Sequence, residues 1–550
     1  MEDKEAIAKL LEKELKGKLK KDEVIALIEV PPQSDMGDFA FPCFKLAGIL
    51  KKNPVEIAKQ LASAIKPKGK IVKVKATGPY INFYADEKGI FDKVMLIDEN
   101  FGRAKQNEKI LLEHTSINPN ASPHVGRTRN SIIGDSIYRI LAFLGNKVER
   151  HYYVNDVSKQ VAMLALNFSS KDTFDDLLKK YVEINKKVKD NPDLEKKVFE
   201  LLHKFEHKDK KTTELFKKIV DTAIEGQKRI LASIGINFDY FDYESRYIDE
   251  VKNILKELEK TGKTEIDKEG RTILNQKGTG LEWKMKSPVL VLTRSDGTGL
   301  YVLRDIAYTI DKCKAGRNIL VLGEDQKLYF EQLNRALTLL RKPYPEVVHY
   351  SFVLLKDVGK MSTRSGEVVL LEDFIKEAKK KAEEEIKKRK TKGDAMKIAV
   401  AAVKYSMLRN GNEKNITFDM ETSLNFEGDT GPYLQYSYAR ASSILAKAKE
   451  NKNKVKGKIN VPEKPEQNEA SLAKKILEFP EVVQASAKNL SPNAIASYAF
   501  DLSQLFNGFY HENKVIGSEY ESFRLKLVDA FRMTIKNALY LLGIDVMEEM

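Results

Sequence analysis

The sequence predicts a parallel-sheet α/β unit in mid-chain, preceded by a small α+β unit and followed by an all-helical region. Three observations lead there: a strand–helix–strand run between Lys109 and Val154, a return of strand-rich texture from about residue 287 to 326, and a helical pattern beyond about residue 370.

Residues 1–106 mix amphipathic helices with short strands. KIVKVKATGPYINFYA alternates on either side of Gly78-Pro79 and reads as part of a small α+β unit. KILLEHTS is then a buried strand. HVGRTRNSIIGDSIYRILAFLG reads as a helix, with Ile133, Ile137, Ile140, Leu141 and Leu144 on one face and Gly145 just past its end. KVERHYYV is the second strand, and this βαβ unit is the building block of a parallel, Rossmann-type sheet. Between about residues 163 and 285 the charged segments DLLKKYVEINKKV and LEKKVFELLHKF suggest a helical insertion. SPVLVLTRSDG, GLYVLRDIAYTIDKC and NILVLGEDQ then restore the α/β texture. The expected organisation is therefore 1–106, 107–369 with its insertion, a helical junction at 370–426, and a helical unit at 427–550. The polar stretch KENKNKVKGKINVPEKPEQNEAS within the last unit reads as an exposed loop.

A chain of 550 residues is too long for one core. Its net charge of +14 favours a polyanionic partner without identifying one. Cys43 and Cys313 are the only cysteines and form no CxxC, which argues against a disulfide framework and against structural zinc. The N-terminus lacks an apolar signal core, and no run of about 18 uncharged apolar residues could span a bilayer. The expectation is a reduced, soluble, cytoplasmic, monomeric protein with no tightly bound cofactor and no membrane partner.

Chemistry concentrates first in Pro119-Asn120-Ala121-Ser122-Pro123-His124-Val125-Gly126-Arg127, between the first strand and its helix. A helix start at the C-terminal edge of a parallel strand offers free N–H groups and a positive dipole end to polyphosphate. Gly126 permits close approach, and His124 can donate to a phosphate oxygen. No GxxxxGK[ST] and no complete GxGxxG is present. The second concentration is Gly359-Lys360-Met361-Ser362-Thr363-Arg364-Ser365-Gly366, whose cations, hydroxyls and glycines suit a clamp on a phosphoryl-transfer state. Each alone also fits an ordinary loop.

In this order the two segments resemble the HIGH and KMSKS motifs of class I aminoacyl-tRNA synthetases. LEHTSINPNASPHVGRTRNSIIGDSIYRILAFLGNKVERHYYVND is similar to the arginine-specific members throughout. EGDTGPYLQYSYARASSIL and LFNGFYHENKVIGSE resemble their helical anticodon-binding domain, and GPYINFYAD resembles their added N-terminal domain, which contacts the tRNA elbow. Two positions depart from the pattern: Arg127 stands where His is more usual, and Thr363 replaces the second lysine.

The resemblance implies ATP with Mg2+, L-arginine and tRNA(Arg) as substrates, with arginine activated only when tRNA is bound. It implies an ATP site of Pro123, His124, Gly126, Arg127, Lys360, Met361 and Ser362, in which His124, Arg127, Lys360 and Arg364 carry the catalysis. Arginine's planar cation, with five donors, requires carboxylates and other acceptors. The matching positions are Glu113, Asn118, Gln326, and Tyr301 with Asp305, which a four-residue spacing puts on one helix face. Glu113 and Asp305 would meet the cationic end, Tyr301 would pack on it, and Asn118 and Gln326 would hold the α-groups. For tRNA, the aromatic residues Tyr433 and Tyr436 with the basic Arg440 suit stacking of unpaired bases, as do Asn82 and Phe83 in the N-terminal domain, although Tyr433 and Tyr436 at i, i+3 equally fit core packing. Nothing in the sequence suggests an editing domain, which so strongly charged a substrate makes unnecessary.

Overall fold

The computed structural model describes residues 2–29, 31, 36–356, 359–360, 369–450 and 461–550. The chain divides into two compact units that are not contiguous in sequence. One holds residues 103–436, 483–497 and 538–550, and the other holds 1–102, 437–482 and 498–537.

The larger unit is organised by five parallel strands: β1 (Lys109–Glu113), β2 (Lys147–Val154), β3 (Tyr240–Tyr243), β4 (Arg317–Gly323) and β5 (Glu346–Tyr350), in the spatial order β5-β4-β1-β2-β3. Central strands covered on both faces must be continuously apolar. Ile110, Leu111, Leu112, Ile319, Leu320 and Val321 meet that demand, each buried. The chain leaves β1 toward β2 on one side and adds β4 on the other, so a crevice opens beyond the carboxyl ends of β1 and β4.

Helix α1 (Val125–Phe143) joins β1 to β2. It is buried on nearly all sides because it also packs against the helix Ala395–Leu408. That enclosure explains its polar interior. Arg129 is fully buried and gives its guanidinium to the carbonyls of Ser351 at 2.8 Å, Lys414 at 2.7 Å and Gly411 at 3.0 Å. Lys404 lies beneath the helix, 3.7 Å from Asp135 and donating to the Gly543 carbonyl at 2.7 Å. Ser136 donates to the Leu541 carbonyl, and Gln435 to that of Asp545.

The expected insertion at 163–285 is not purely helical. Four helices, from Lys159–Ala165 to Lys210–Ala232, do carry the crossover. Within the same span, however, Tyr240–Tyr243 pairs with β2 as an edge of the main sheet. Such a half-exposed edge strand lacks the apolar run that marks β1 and β4. Val289–Val291, read as part of the α/β texture, belongs instead to a three-stranded antiparallel sheet with Thr264–Ile266 and Thr272–Asn275. Helices α2 (Tyr301–Lys312) and α3 (Lys327–Leu339) flank β4.

In the second unit, strands Phe39–Pro42, Tyr80–Ala85 and Ile71–Thr77 form an antiparallel sheet. Helix Pro54–Ala64 starts with Asn53 capping Val55 at 2.8 Å and proline in the first turn. Phe83 is fully buried in the core with Phe41 and Ile81, and Asn82 is 2% exposed with its amide on Thr77 Oγ1. This corrects the expectation that these two stand ready at a tRNA surface. An aromatic beside a polar residue suggests a recognition surface, but this strand is the central one of its sheet, and Ile81, Asn82 and Phe83 are all buried. Further along this unit Phe506 and Phe531 stack at 3.8 Å, and Arg524 pairs with the buried Glu469 at 2.7 Å.

A β-carbon on Gly134 of α1 would lie 2.2 Å from the ring of His114. That ring is buried and packed 4.9 Å from Phe238, so it has nowhere to move. Gly134→Ala is expected to cost about 1–3 kcal/mol and to lower the melting temperature by several degrees in scanning calorimetry. An unchanged melting curve would contradict this packing.

Candidate active site

The site begins where β1 ends. Thr115 takes φ +67, a left-handed conformation that a β-branched residue adopts only under constraint. The constraint is visible. Its N–H donates to Asn130 Oδ1 at 2.8 Å, its hydroxyl to Ser131 at 2.7 Å, and Asn130 is itself fixed to the Val321 carbonyl at 2.9 Å. The resulting bend turns Ser116, Ile117 and Asn118 across the crevice.

A cavity of about 310 Å³ fills that crevice. Glu113, Asn118, Tyr301, Asp305 and Gln326 all line it, as does Arg127 from α1. Both carboxylates expected to recognise a cation therefore face one space, but they are not equivalent. Glu113 Oε2 already receives Lys312 Nζ at 2.5 Å and the Tyr308 hydroxyl at 2.9 Å. Oε1 is the atom left to a ligand. Asp305 has no basic group within ion-pair distance among the described residues; the hydroxyls of Tyr153, at 3.0 Å, and Tyr329 serve it instead. Its neighbour Arg304 turns away to the buried Glu244 at 2.6 Å, which disposes of a surface pair between Arg304 and Asp305. Burial holds the Asp305 carboxyl above the ordinary range, against the opposing pull of the Tyr329 and Tyr153 hydrogen bonds and of Arg304. Burial raises Glu244 too, with Arg304 opposing.

Several lining residues went unnoticed in the sequence. Tyr301 and Asp305 begin a stripe that continues through Tyr308 and Lys312 on the same face of α2. Extending that spacing by two turns would have found them. Tyr153 stacks on Tyr308 at 4.7 Å, and Asn155 presents a buried Oδ1 with no partner among the described residues. Neither carries a local signal, because β2 says nothing of what its end will face.

The helix start of α1 forms the second half of the site. Val125 donates to the Val369 carbonyl at 3.1 Å and Leu371 to that of Pro123 at 2.9 Å, an antiparallel bridge centred on His124 and Leu370. The chain leaving the second motif is thereby fixed to the first. Pro123 and His124 are buried and Gly126 half-buried. The His124 Nδ1 atom has no partner among the described residues, and burial, helped by nearby Arg127, pushes the imidazole down to about 4. His124 is thus a neutral hydrogen-bonding group near pH 7, not a cation, while Arg127 supplies exposed positive charge. Of the second motif, Lys360 is described in its backbone alone, paired in a strand with Leu354. Its side chain, Met361, Ser362 and Arg364 lie outside the described residues. Among the described residues no group of His, Cys, Asp or Glu is arranged to hold a metal ion, and no helix is long and apolar enough to cross a membrane.

A parallel sheet with a ligand crevice at its switch point, and a helix-start histidine bridged to the exit of a basic loop, define a class I aminoacyl-tRNA synthetase. Residues 92–420 match the family model for the class I (R) tRNA synthetase catalytic domain, 434–550 that for the DALR anticodon-binding domain, and 4–85 that for the arginyl-tRNA synthetase N-terminal domain. The chain belongs to the arginyl-tRNA synthetase family, the enzymes that ligate arginine to tRNA. It is 38% identical to the arginine–tRNA ligase of Methanothermobacter thermautotrophicus, with 95% of each chain covered. It is 37% identical to that of Methanocaldococcus jannaschii, with 98% of this chain and 97% of the relative covered. Among solved structures the arginyl-tRNA synthetase of Thermus thermophilus superposes with a TM-score of 0.82 at 25% identity over 99% of both chains.

Removing Lys312 would leave Glu113 as a buried charge without its cation, a loss of about 3–5 kcal/mol. Lys312→Met is expected to destabilise the protein markedly, and adding Glu113→Gln should recover most of the loss. Additive effects in a double-mutant cycle by thermal denaturation would show that the pair is not coupled.

Proposed function

We propose that the cavity takes L-arginine with its guanidinium on Asp305, and that MgATP lies along the start of α1. The carrying observation is Asp305 itself, a carboxylate in a cavity rich in acceptors, with no protein cation within ion-pair distance among the described residues. A planar, permanently charged group with five donors is what that arrangement lacks. Tyr301 packs against the guanidinium, and Asn155 Oδ1 offers a further acceptor. Asn118 and Gln326, from the loops after β1 and β4, hold the α-carboxylate and α-amino group. Glu113 contributes Oε1, its charge already shared with Lys312.

The reaction has two steps. A carboxylate oxygen of arginine attacks the α-phosphorus of MgATP and pyrophosphate leaves. The 2′-hydroxyl of the terminal adenosine of tRNA(Arg) then attacks the acyl carbon and AMP leaves. No protein atom forms a covalent intermediate. His124 donates a hydrogen bond to phosphate while Arg127, Lys360 and Arg364 oppose the developing charge. Tyr433, Tyr436 and Arg440, each half-buried, offer faces to the tRNA, and activation of arginine waits for that complex.

Asp305→Ala is expected to weaken arginine binding by about 2–5 kcal/mol, and an unaltered arginine KM would remove Asp305 from this role. Because the guanidinium requires the ionised carboxylate and burial raises that group, wild-type affinity should fall as pH is lowered through its raised value. The limiting slope is about tenfold per pH unit. Equilibrium dialysis of arginine across the acidic range checks this, with Asp305→Asn expected to flatten the profile. Replacing Lys360 by alanine should slow adenylate formation in rapid-quench experiments more than it weakens arginine binding; an equal rate would count against it. The assignment as a whole is tested by charging unfractionated tRNA with each amino acid in turn, arginine alone being expected to react.

A further inference from the structure

Trp283 is the chain's single tryptophan, and it is 95% exposed. Its loop is nevertheless well held. Gly278 donates to the Glu282 carboxylate, Thr279 Oγ1 to the Gln276 carbonyl at 2.6 Å, and the N–H groups of Lys284 and Met285 to the Leu281 carbonyl at 2.9 and 3.0 Å. Gly278 and Gly280 supply the φ values of +81 and +84 that the turn requires. The loop is also fastened to α3. Lys284 reaches both Glu331 oxygens at 2.7 Å, and the buried Gln276 donates to the Gln332 carbonyl at 2.7 Å. Glu331 and Gln332 directly follow Tyr329 and Phe330, which line the arginine cavity. The indole is therefore borne on a loop fastened to the helix whose first turn lines the cavity.

Its surroundings are basic. Lys284 shares its charge with Glu331, which leaves Lys277 and Lys286 beside the indole's loop, while the Glu282 carboxylate is engaged by backbone N–H groups of the turn. A rigidly presented aromatic face among cations is the platform that an unpaired base and its phosphates require. The strand that delivers a ribose hydroxyl into the cavity must pass over its rim.

We propose that Trp283 stacks on an unpaired base near the 3′ end of the tRNA and holds that end at the mouth of the cavity. The proposal rests on tRNA being the acyl acceptor. Because the chain has one tryptophan, its emission reports on this loop. Wild-type enzyme is titrated with a tRNA(Arg) transcript and with the same transcript trimmed back to its paired acceptor stem, binding being followed separately by anisotropy of a dye on the tRNA. The intact transcript is expected to quench Trp283 and the trimmed one to leave it unchanged. Trp283→Ala should raise the tRNA KM roughly 5- to 100-fold while arginine affinity in equilibrium dialysis stays constant, and Trp283→Phe should restore most of the loss. Saturating tRNA without quenching, or an unaltered tRNA KM in Trp283→Ala, overturns the proposal. So does emission that changes with protein concentration alone, which would mark the loop as a contact between copies of the chain. A wild-type enzyme that charges no tRNA with arginine would instead overturn the functional reading beneath it.

Discussion

Two backbone hydrogen bonds around His124, one from Val125 to Val369 and one from Leu371 to Pro123, hold together segments more than two hundred residues apart in sequence. They work because α1 cannot shift. Its far side is packed on the sheet, and the Arg129 guanidinium is shared among three carbonyls of the loops beside the bridge. A buried arginine that satisfies carbonyls and no carboxylate is costly to place, and the return is a fixed geometry between otherwise independent loops. The N-terminal end of α1 inherits that rigidity, and Val369 and Leu370 are held in a defined place beside it.

The amino-acid side of the crevice follows a different logic. Glu244 and Asp305 are held in surroundings that resist their ionisation, and Tyr153, Tyr308 and Tyr329 line the same space with hydroxyls. Glu113 and Glu244 each have an internal cation, whereas Asp305 has none among the described residues. A ligand that brings Asp305 a positive charge with matching donors gains twice: it pairs, and it relieves a desolvated carboxylate. Neutral amino acids of similar size offer neither gain.

Legibility in the sequence followed the range of the forces involved. β1, α1 and β2 were readable because apolar runs and helical spacing are local consequences of burial. Tyr301 and Asp305 were readable by the same spacing, and Tyr308 and Lys312 lay on that stripe. The edge strand Tyr240–Tyr243 was hidden because a margin strand is half in water and needs no apolar run. The partnership of Arg304 with Glu244 was hidden too, since it depends on how a crossover returns to the sheet. Phe83 shows the converse: an aromatic beside polar residues suggested a recognition surface, yet its strand is the middle one of three and its ring is core. The division into units was equally out of reach, because each is assembled from three separate stretches of the chain.

That last feature bears on how the larger unit is completed. Lys404 beneath α1 is pushed down to about 8 by burial, with Asp135 opposing, and it meets the Gly543 carbonyl; Ser136 of α1 meets that of Leu541. Part of the floor under α1 is therefore laid by a segment 405 residues further along the chain. The five strands pair without it, but α1 acquires its last polar partners only once residues 541–543 are in place. A chain cut before residue 541 would keep every strand of the sheet and leave the buried Lys404 with Asp135 as its one remaining partner among the described residues.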